Sequence, residues 1–520
     1  MYGIPSIFND VIGPLMRGPS SSHCAGALRI GRICRDLMGG KINQVYLYID
    51  PNGSLATTHE SQGSDMGLMG GLLGWDATDD RLPEAGNHLA KNGLTLSIEI
   101  KDIAAMHPNT YQLHLDGPRG SCELTALSTG GGMIEITEIA GKQLSIRGDY
   151  HEILIYCTDN KDVMQVINDR ISYEDIILHP GDETMLQVRS HTPIDKTFLQ
   201  DLAGMKGVRQ VRYIRPVLPV LSRKDMEVPF LTAGEMLEFN RKAELPLWEL
   251  ALLYEAQRAG IRKEEVFEKM KVLAGYMEAA VSIGISGTRY ADRILPAQSP
   301  VFREKMDQGQ LLGGDLTNRI IMYTSAVMEV KSAMGLIVAA PTAGSCGCIP
   351  GAVLGTATGM GLPHDQVVKA LLAAGMIGIF IARNATFAAE SGGCQAECGA
   401  ASGMAAAALV SVAGGSLEQA LAASSLALQN SLGMICDPIA NRVEAPCLGK
   451  NVMAAMNALS CANMALAHFN PLVPLDEVIQ AMNDVGESLP RSLRCTALGG
   501  LSITPAARKI EKEMKNKPEK

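Results

Sequence analysis

The chain has 520 residues, 47% of them hydrophobic and 19% charged, with a net charge of −9. Such a length and balance describe a globular protein of several domains rather than a disordered chain. The acidic balance and an aromatic content of 4% argue against a dedicated nucleic-acid binder, which needs cationic surface and stacking rings.

In chain order, residues 1–10 carry neither the basic nor the apolar region of a secretory signal, so a cytoplasmic protein is expected. Residues 25–38 have helical spacing, while 45–49, 94–100 and 133–137 read as strands. Residues 1–149 therefore read as an α+β domain. From 150 to 221 the order is strand (153–156), helix (161–171), strand (176–178), strand (185–188), helix (197–205), strand (208–214). This is the split βαβ pattern of a ferredoxin-like domain, a ligand-binding or self-pairing module on one reading and a spacer on the other. A polar link, 222–227, opens the last zone, 222–520, which is mostly α-helical, as at 247–259 and 264–280, and rich in Ala and Gly beyond Leu336. Small residues let helices pack closely and let backbone approach a ligand. The most apolar stretch, 370–382, is shorter than the roughly 20 residues that cross a bilayer, so no membrane partner is expected. The charged tail, 509–520, is expected to fray. The predicted fold class is thus multidomain α+β with a helical C-terminal domain.

Eight of the 12 cysteines lie beyond residue 340. In a reducing compartment most cysteines are small buried hydrophobes, and fewer are metal ligands or nucleophiles. Three stand in turn-like surroundings: Cys394 after Gly392-Gly393, Cys436 before Asp437-Pro438, and Cys447 after Pro446. Gly and Pro bend the chain and expose N–H groups that can donate to thiolates. Thiolates suit zinc or iron–sulfur clusters. Structural zinc favours four ligands in close pairs, which this trio lacks, and electron-transfer clusters likewise take four cysteines. Three thiolates would leave one iron open as a Lewis acid, an arrangement suited to eliminating water. Buried structural cysteines are the alternative.

Gly393-Cys-Gln-Ala-Glu-Cys-Gly399, Cys436-Asp-Pro-Ile-Ala440 and Pro446-Cys447, in this order, resemble the iron–sulfur-dependent L-serine dehydratases. So do Ala340-Pro-Thr-Ala-Gly-Ser345, Leu498-Gly-Gly-Leu-Ser-Ile-Thr-Pro505 and, nearer the start, Gly18-Pro-Ser-Ser-Ser-His23, Gly53-Ser-Leu-Ala56, His107-Pro-Asn109 and Ser128-Thr-Gly-Gly-Gly132. Together they span nearly the whole chain. The resemblance implies a β-type domain (1–149), an ACT-like domain (150–221) and an α-type domain (222–520). It further implies a [4Fe-4S] cluster on Cys394, Cys436 and Cys447, with water eliminated from L-serine to give pyruvate and ammonia. It carries substrate contact to Ser20, Ser21, Ser22, Asn109, Thr342, Gly344 and Ser345, beside the plainer reading of Ser20–Ser22 as a polar turn capping the next helix. A small amino acid as partner and a homodimer are expected.

Two departures stand out. Many relatives carry a His where this chain has Gln62, and an amide cannot serve as a base; His23 and His59 are the candidate proton-transfer groups. Asn441 and Arg442 replace small or apolar residues, and Arg442 is read as pairing an acidic group on a larger substrate, as salt-bridging Glu444, or as plain surface. Cys346, Cys348 and Cys398 are read as packing residues, and Cys495 has no partner pattern. Elimination from threonine, cysteine or a larger hydroxy amino acid, and a non-enzymatic iron–sulfur sensor, are the rival functions.

Overall fold

Hydrophobic patterns of period two and period 3.6 sort into two units in the computed structural model, which describes residues 4–181 and 183–515. One unit is Ser22–Met226; the other joins Met1–Ser21 to Glu227–Lys520.

The first unit holds two sheets. β1 (Gln44–Ile49) alternates half-buried and buried residues, as period two requires of a strand covered on one face. It lies parallel to β2 (Thr95–Ile100) and antiparallel to β3 (Thr110–Gly117). β4 (Gly120–Gly130), β5 (Met133–Ile139) and β6 (Lys142–Ile146) continue as a meander, giving the order β2-β1-β3-β4-β5-β6. The β4–β5 turn uses Gly131 and Gly132 at φ 59° and 87°, the positive angles that two-residue hairpins demand. The Ser128-to-Gly132 motif is therefore a hairpin end. Helix α1 (Gly26–Leu37) shares one apolar core with this sheet through Ile30, Ile33 and Leu37. It crosses α2 (Ser64–Leu73) at glycines: a Cβ on Gly71 would sit 2.2 Å from the carbonyl oxygen of Leu28.

The second sheet has the element order read from the sequence: β7 (His151–Cys157), α3 (Lys161–Arg170), β8 (Asp175–His179), β9 (Thr184–Ser190), α4 (Lys196–Gly204) and β10 (Val208–Ile214). Its strand order is β10-β7-β9-β8, all antiparallel. Ile153, Ile155, Val163, Leu186 and Phe198 form its core under the two helices.

The other unit is built on long helices: α5 (Leu247–Ala259), α6 (Lys263–Ser286), α7 (Asp315–Ser332), α8 (Cys348–Gly359), α9 (His364–Asn384), α10 (Cys398–Val412), α11 (Leu417–Gln429), α12 (Cys447–Leu466) and α13 (Leu475–Ser488). α8, α9 and α10 are nearly covered all round, which is why they read as Ala- and Gly-rich rather than amphipathic. The apolar stretch at 370–382 belongs to the 21-residue α9, long and apolar enough to cross a membrane by length and composition. Of its apolar window, 78% is buried inside the structure, as in the core helix of a folded domain.

The first residues thread into these helices. Ile7 and Val11 fill the space above Gly375 and Gly378, where a Cβ would stand 2.7 Å from Ile7 and 2.0 Å from Val11. The buried carboxylate of Glu255 accepts from Ser6 Oγ at 2.5 Å and Ile7 N at 2.8 Å. Leu15–Arg17 then pairs antiparallel with Leu336–Val338. Of the tail expected to fray, residues up to 515 belong to the helix Pro505–Lys515, and 516–520 lie outside the described residues.

Candidate functional site

Two polar constellations gather the candidate residues, one in each unit. In the helical unit, Gly393 has φ 71°, which its missing Cβ permits; a Cβ would also stand 2.9 Å from Met434 O. The next residue pair locks in place: Gln395 N donates to Met434 O at 3.0 Å, and Gln395 Oε1 accepts from Gly433 N at 2.8 Å. Cys394 is thereby held against the segment leading to Cys436. That segment is gripped by the chain end. Leu501 N donates to Asp437 Oδ2 at 2.9 Å, and Ser502 Oγ donates to Pro438 O at 2.8 Å. Gly500, at φ 59°, faces Asp437 so closely that a Cβ would meet its carboxylate at 2.6 Å. The Leu498-to-Pro505 motif is thus a clasp on the Cys436-Asp437-Pro438 turn.

Cys447 opens α12, and Asn451, one turn on, is fully buried. Asn451 Nδ2 donates to Cys447 O at 2.9 Å, Gly344 O at 2.7 Å and Cys398 Sγ at 3.5 Å. Its Oδ1 accepts from Gly347 N and Cys348 N, each at 3.1 Å. One amide therefore joins the Cys447 turn to the loop of Thr342, Gly344 and Ser345. In that loop Thr342 Oγ1 donates to Glu397 Oε1 at 2.6 Å. A Cβ on Gly344 would stand 2.7 Å from the same carboxylate. Ser345 is fully buried and bonded within its own turn. Ser20 is buried, and Ser21 Oγ accepts from Ala343 N at 3.5 Å.

The cysteines sense each other's charge. The negative potential of Cys394 raises both Cys436 and Cys447. Cys436 is pushed up first by a hydrogen bond with Cys495 and then by burial; Cys447 is pushed up chiefly by burial. Cys398 rises through a hydrogen bond with Cys394 and through burial. Burial also raises the Glu397 carboxyl to about 7, against the Thr342 hydrogen bond. Two cations oppose this negative potential. Lys331, fully buried on α7, donates to Val443 O, and its charge lowers Cys447. Lys450 donates to Asp437 Oδ1 at 2.6 Å and Ile435 O at 2.7 Å. Among the described residues no three Cys, His, Asp or Glu side chains are grouped to hold a single metal ion. A cluster spreads its ligands over several irons, so its cysteines stand wider than one ion's ligands.

In the other unit, His23 is buried with Nδ1 3.2 Å from Ser22 Oγ and Nε2 2.9 Å from Thr58 Oγ1. Thr58 donates to Ser54 O at 2.6 Å, and Ser54 Oγ donates to Asn109 Oδ1. His107 adjoins this chain of bonds: its Nδ1 accepts from Asn109 N at 3.1 Å, closing a turn. His59 Nδ1 is paired with Asp65 at 2.9 Å, and that hydrogen bond raises its pKa against partial burial. Gln62 is buried, its N donating to Thr58 O at 2.8 Å, yet its side-chain Nε2 has no partner among the described residues. The neighbouring Ser61 Oγ is in the same state.

Arg442 does not salt-bridge Glu444. It grips Asp292 with two bonds of 2.5 and 2.6 Å, while Glu444 Oε2 accepts from Ile294 N and Leu295 N. Cys346 and Cys348 are fully buried, as packing residues are. Sequence reasoning missed Lys331, Glu397, Lys450, Asn451 and Cys495. A signal existed for two of them: Lys450 and Asn451 fall three and four residues after Cys447, one helical turn away.

The profile of the family described as "Serine dehydratase alpha chain" matches residues 242–502. The "Probable L-serine dehydratase, alpha chain" of Bacillus subtilis is 38% identical over 285 residues, covering 55% of this chain and 95% of that protein. The "Probable L-serine dehydratase, beta chain" of the same organism is 40% identical over 154 residues, 30% of this chain and 69% of that protein. The "L-serine dehydratase" of Helicobacter pylori is 27% identical over 517 residues, 97% of this chain and 99% of that protein. With half its length matched by that profile, and a relative covered almost end to end, the chain belongs to the serine dehydratase alpha chain family.

Proposed function

We propose that this chain is an L-serine dehydratase, eliminating water from L-serine to yield 2-aminoacrylate, which becomes pyruvate and ammonia. The match to the serine dehydratase alpha chain family carries this reading, supported by Gln395 tying the Cys394 turn to the Cys436 segment and Asn451 tying the Cys447 turn to the Thr342 loop. The donor set fits a [4Fe-4S] cluster: three soft sulfur donors, all buried, with Lys331 and Lys450 nearby to offset thiolate charge. When bound, such a cluster supplies an iron that no cysteine holds, a Lewis acid for hydroxyl and carboxylate.

The chain's own residues would set the rest. Thr342 holds the Glu397 carboxylate and Gly344 leaves room for it, while Asn451 fixes their loop to the Cys447 turn. Ser20, Ser21, Ser22, Asn109 and Ser345 are read as polar groups that orient the substrate. Removal of the weakly acidic Cα proton is assigned to an imidazole, His23 or His59. The Asp65 pair keeps the proton of His59 on Nδ1 and leaves Nε2 as its basic nitrogen. The engagement of Arg442 with Asp292 leaves it no role in binding a second acidic group, which favours serine over a larger acidic substrate. Residues 1–149, 150–221 and 222–520 are read as β-type, ACT-like and α-type domains of a cytoplasmic homodimer.

Anaerobic purification followed by a substrate screen tests this reading. A brown protein that forms pyruvate from serine, and loses colour and activity together in Cys436→Ala, is expected. A colourless protein that is fully active overturns the cluster, and a brown one inert toward serine, threonine and cysteine overturns the enzyme.

A further inference from the structure

Cys495 is not one of the three sulfurs assigned above, yet the chain bends unusually to place it. Its φ is 57°, in the left-handed region that side-chain-bearing residues seldom adopt. Unfavourable backbone of this kind persists where the surroundings enforce it, and it gathers at functional positions. Here the surroundings are Cys436. Cys436 N donates to Leu493 O at 2.9 Å, and Cys495 N donates back to Cys436 O at 3.1 Å. The two segments thus run side by side as a parallel bridge between Cys436 and Arg494. These backbone bonds set Cys495 directly beside Cys436, and the Cys495 side chain is a cause of the raised Cys436 pKa. Both residues are almost wholly buried, at 5% and 8% exposure.

We propose that Cys436 and Cys495 form a redox modification site, closing a disulfide with a peroxide whenever Cys436 is not engaged as a ligand. The chemistry balances with hydrogen peroxide as the named oxidant. One thiol sulfur takes an oxygen from the peroxide, becoming a sulfenic acid and releasing one water. The second sulfur attacks it, the S–S bond forms, and the oxygen leaves with the second thiol proton as another water. The closed pair withholds Cys436 from the metal site and protects its sulfur from irreversible over-oxidation; a thiol reductant reopens it. The effect on cluster loading rests on the assignment of Cys436 as a ligand, whereas the disulfide itself does not. The other thiol pair, Cys394 and Cys398, is the competitor, but Cys398 Sγ is held by Asn451 Nδ2 at 3.5 Å.

The full-length cluster-free chain, reduced and then treated with stoichiometric hydrogen peroxide, gives the test. After free thiols are blocked with iodoacetamide, trypsin and a Glu-specific protease together release residues 419–442 and 495–508, each with a single cysteine. Mass spectrometry is expected to find these two peptides joined, and separated again by dithiothreitol. The oxidised wild type should regain its visible iron–sulfur absorbance on reconstitution only after dithiothreitol. Cys495→Ser should give no linked peptide, carry Cys436 on to sulfinic or sulfonic acid, and fail to recover with reductant. Recovery of Cys436 fully alkylated, or joined to Cys394 or Cys398, overturns the proposal. A linked pair in a chain that never takes up a cluster would instead overturn the ligand assignment and leave the disulfide standing.

Discussion

Asn451 Nδ2 donates to the carbonyl oxygen of Gly344 at 2.7 Å, so a side chain on α12 fixes a loop more than a hundred residues earlier in the chain. The same amide accepts from Gly347 N and Cys348 N, and all of these groups are buried. Asn451→Ala strands them without partners. The expected loss is about 3 kcal/mol of unfolding free energy, the combined cost of buried unpaired groups and a small cavity. Urea denaturation measures it. A loss below about 1 kcal/mol would mean that the loop holds itself.

The pair of His59 and Asp65 gives stability a pH dependence. The hydrogen bond to Asp65 raises the imidazole pKa in the folded chain above its ordinary 6.5. Its contribution is therefore fully present below 6.5 and is lost as pH rises through the higher folded value. Asp65→Asn should move the His59 Cε1–H titration to lower pH by NMR and flatten stability across this window. An unmoved titration would show that Asp65 does not set the basicity of His59.

Glu152 on β7 behaves in the same sense for another reason. Burial raises its carboxyl to about 8, despite a hydrogen bond from Gln187 Nε2 at 2.6 Å and Arg189 at 3.6 Å. The native chain keeps this proton from the ordinary 4.5 up to about 8, so stability falls as pH rises through that interval. Between pH 6 and 9 the wild type should lose on the order of 2 kcal/mol that Glu152→Gln does not lose. Parallel curves for the two proteins would place the carboxylate in a wetter environment than its burial indicates.

Gln62 offers a separation of stability from function. Its Nε2 is buried and has no partner among the described residues, a costly state for a donor. Gln62→Met removes the orphan donor and should raise unfolding free energy by about 1 kcal/mol. If the amide donates to substrate, the same change should raise KM for serine several-fold. A more stable variant with unchanged KM would assign Gln62 to packing alone.

Much of the fold was legible because it repeats locally. Period-two alternation marked β1, and helix–strand order marked the second sheet, since each element needs only its own few residues to declare itself. The Gly131-Gly132 hairpin was visible as glycines but not as a turn, because the residues that pair across it are read only in the sheet. Cys394, Cys436 and Cys447 could be picked out from their Gly and Pro neighbours. Their surroundings could not. Lys331 and Glu397 carry no local mark, and Cys495 meets Cys436 across 58 intervening positions through one left-handed residue. Arg442 shows the same limit: Glu444 was its neighbour in sequence, but Asp292 is its partner in space.

The clamp of Glu255 on Ser6 has a consequence for how the protein is made. The partners lie 249 positions apart, and at ~5–20 residues per second a ribosome needs roughly 10–50 seconds to deliver the second after the first. Through that interval Ile7, Phe8 and Val11 have no completed cavity to enter. This segment must therefore wait, greasy and uncovered, while the whole Ser22–Met226 unit is translated. A stretch made well before its partners finds its seat only after they emerge.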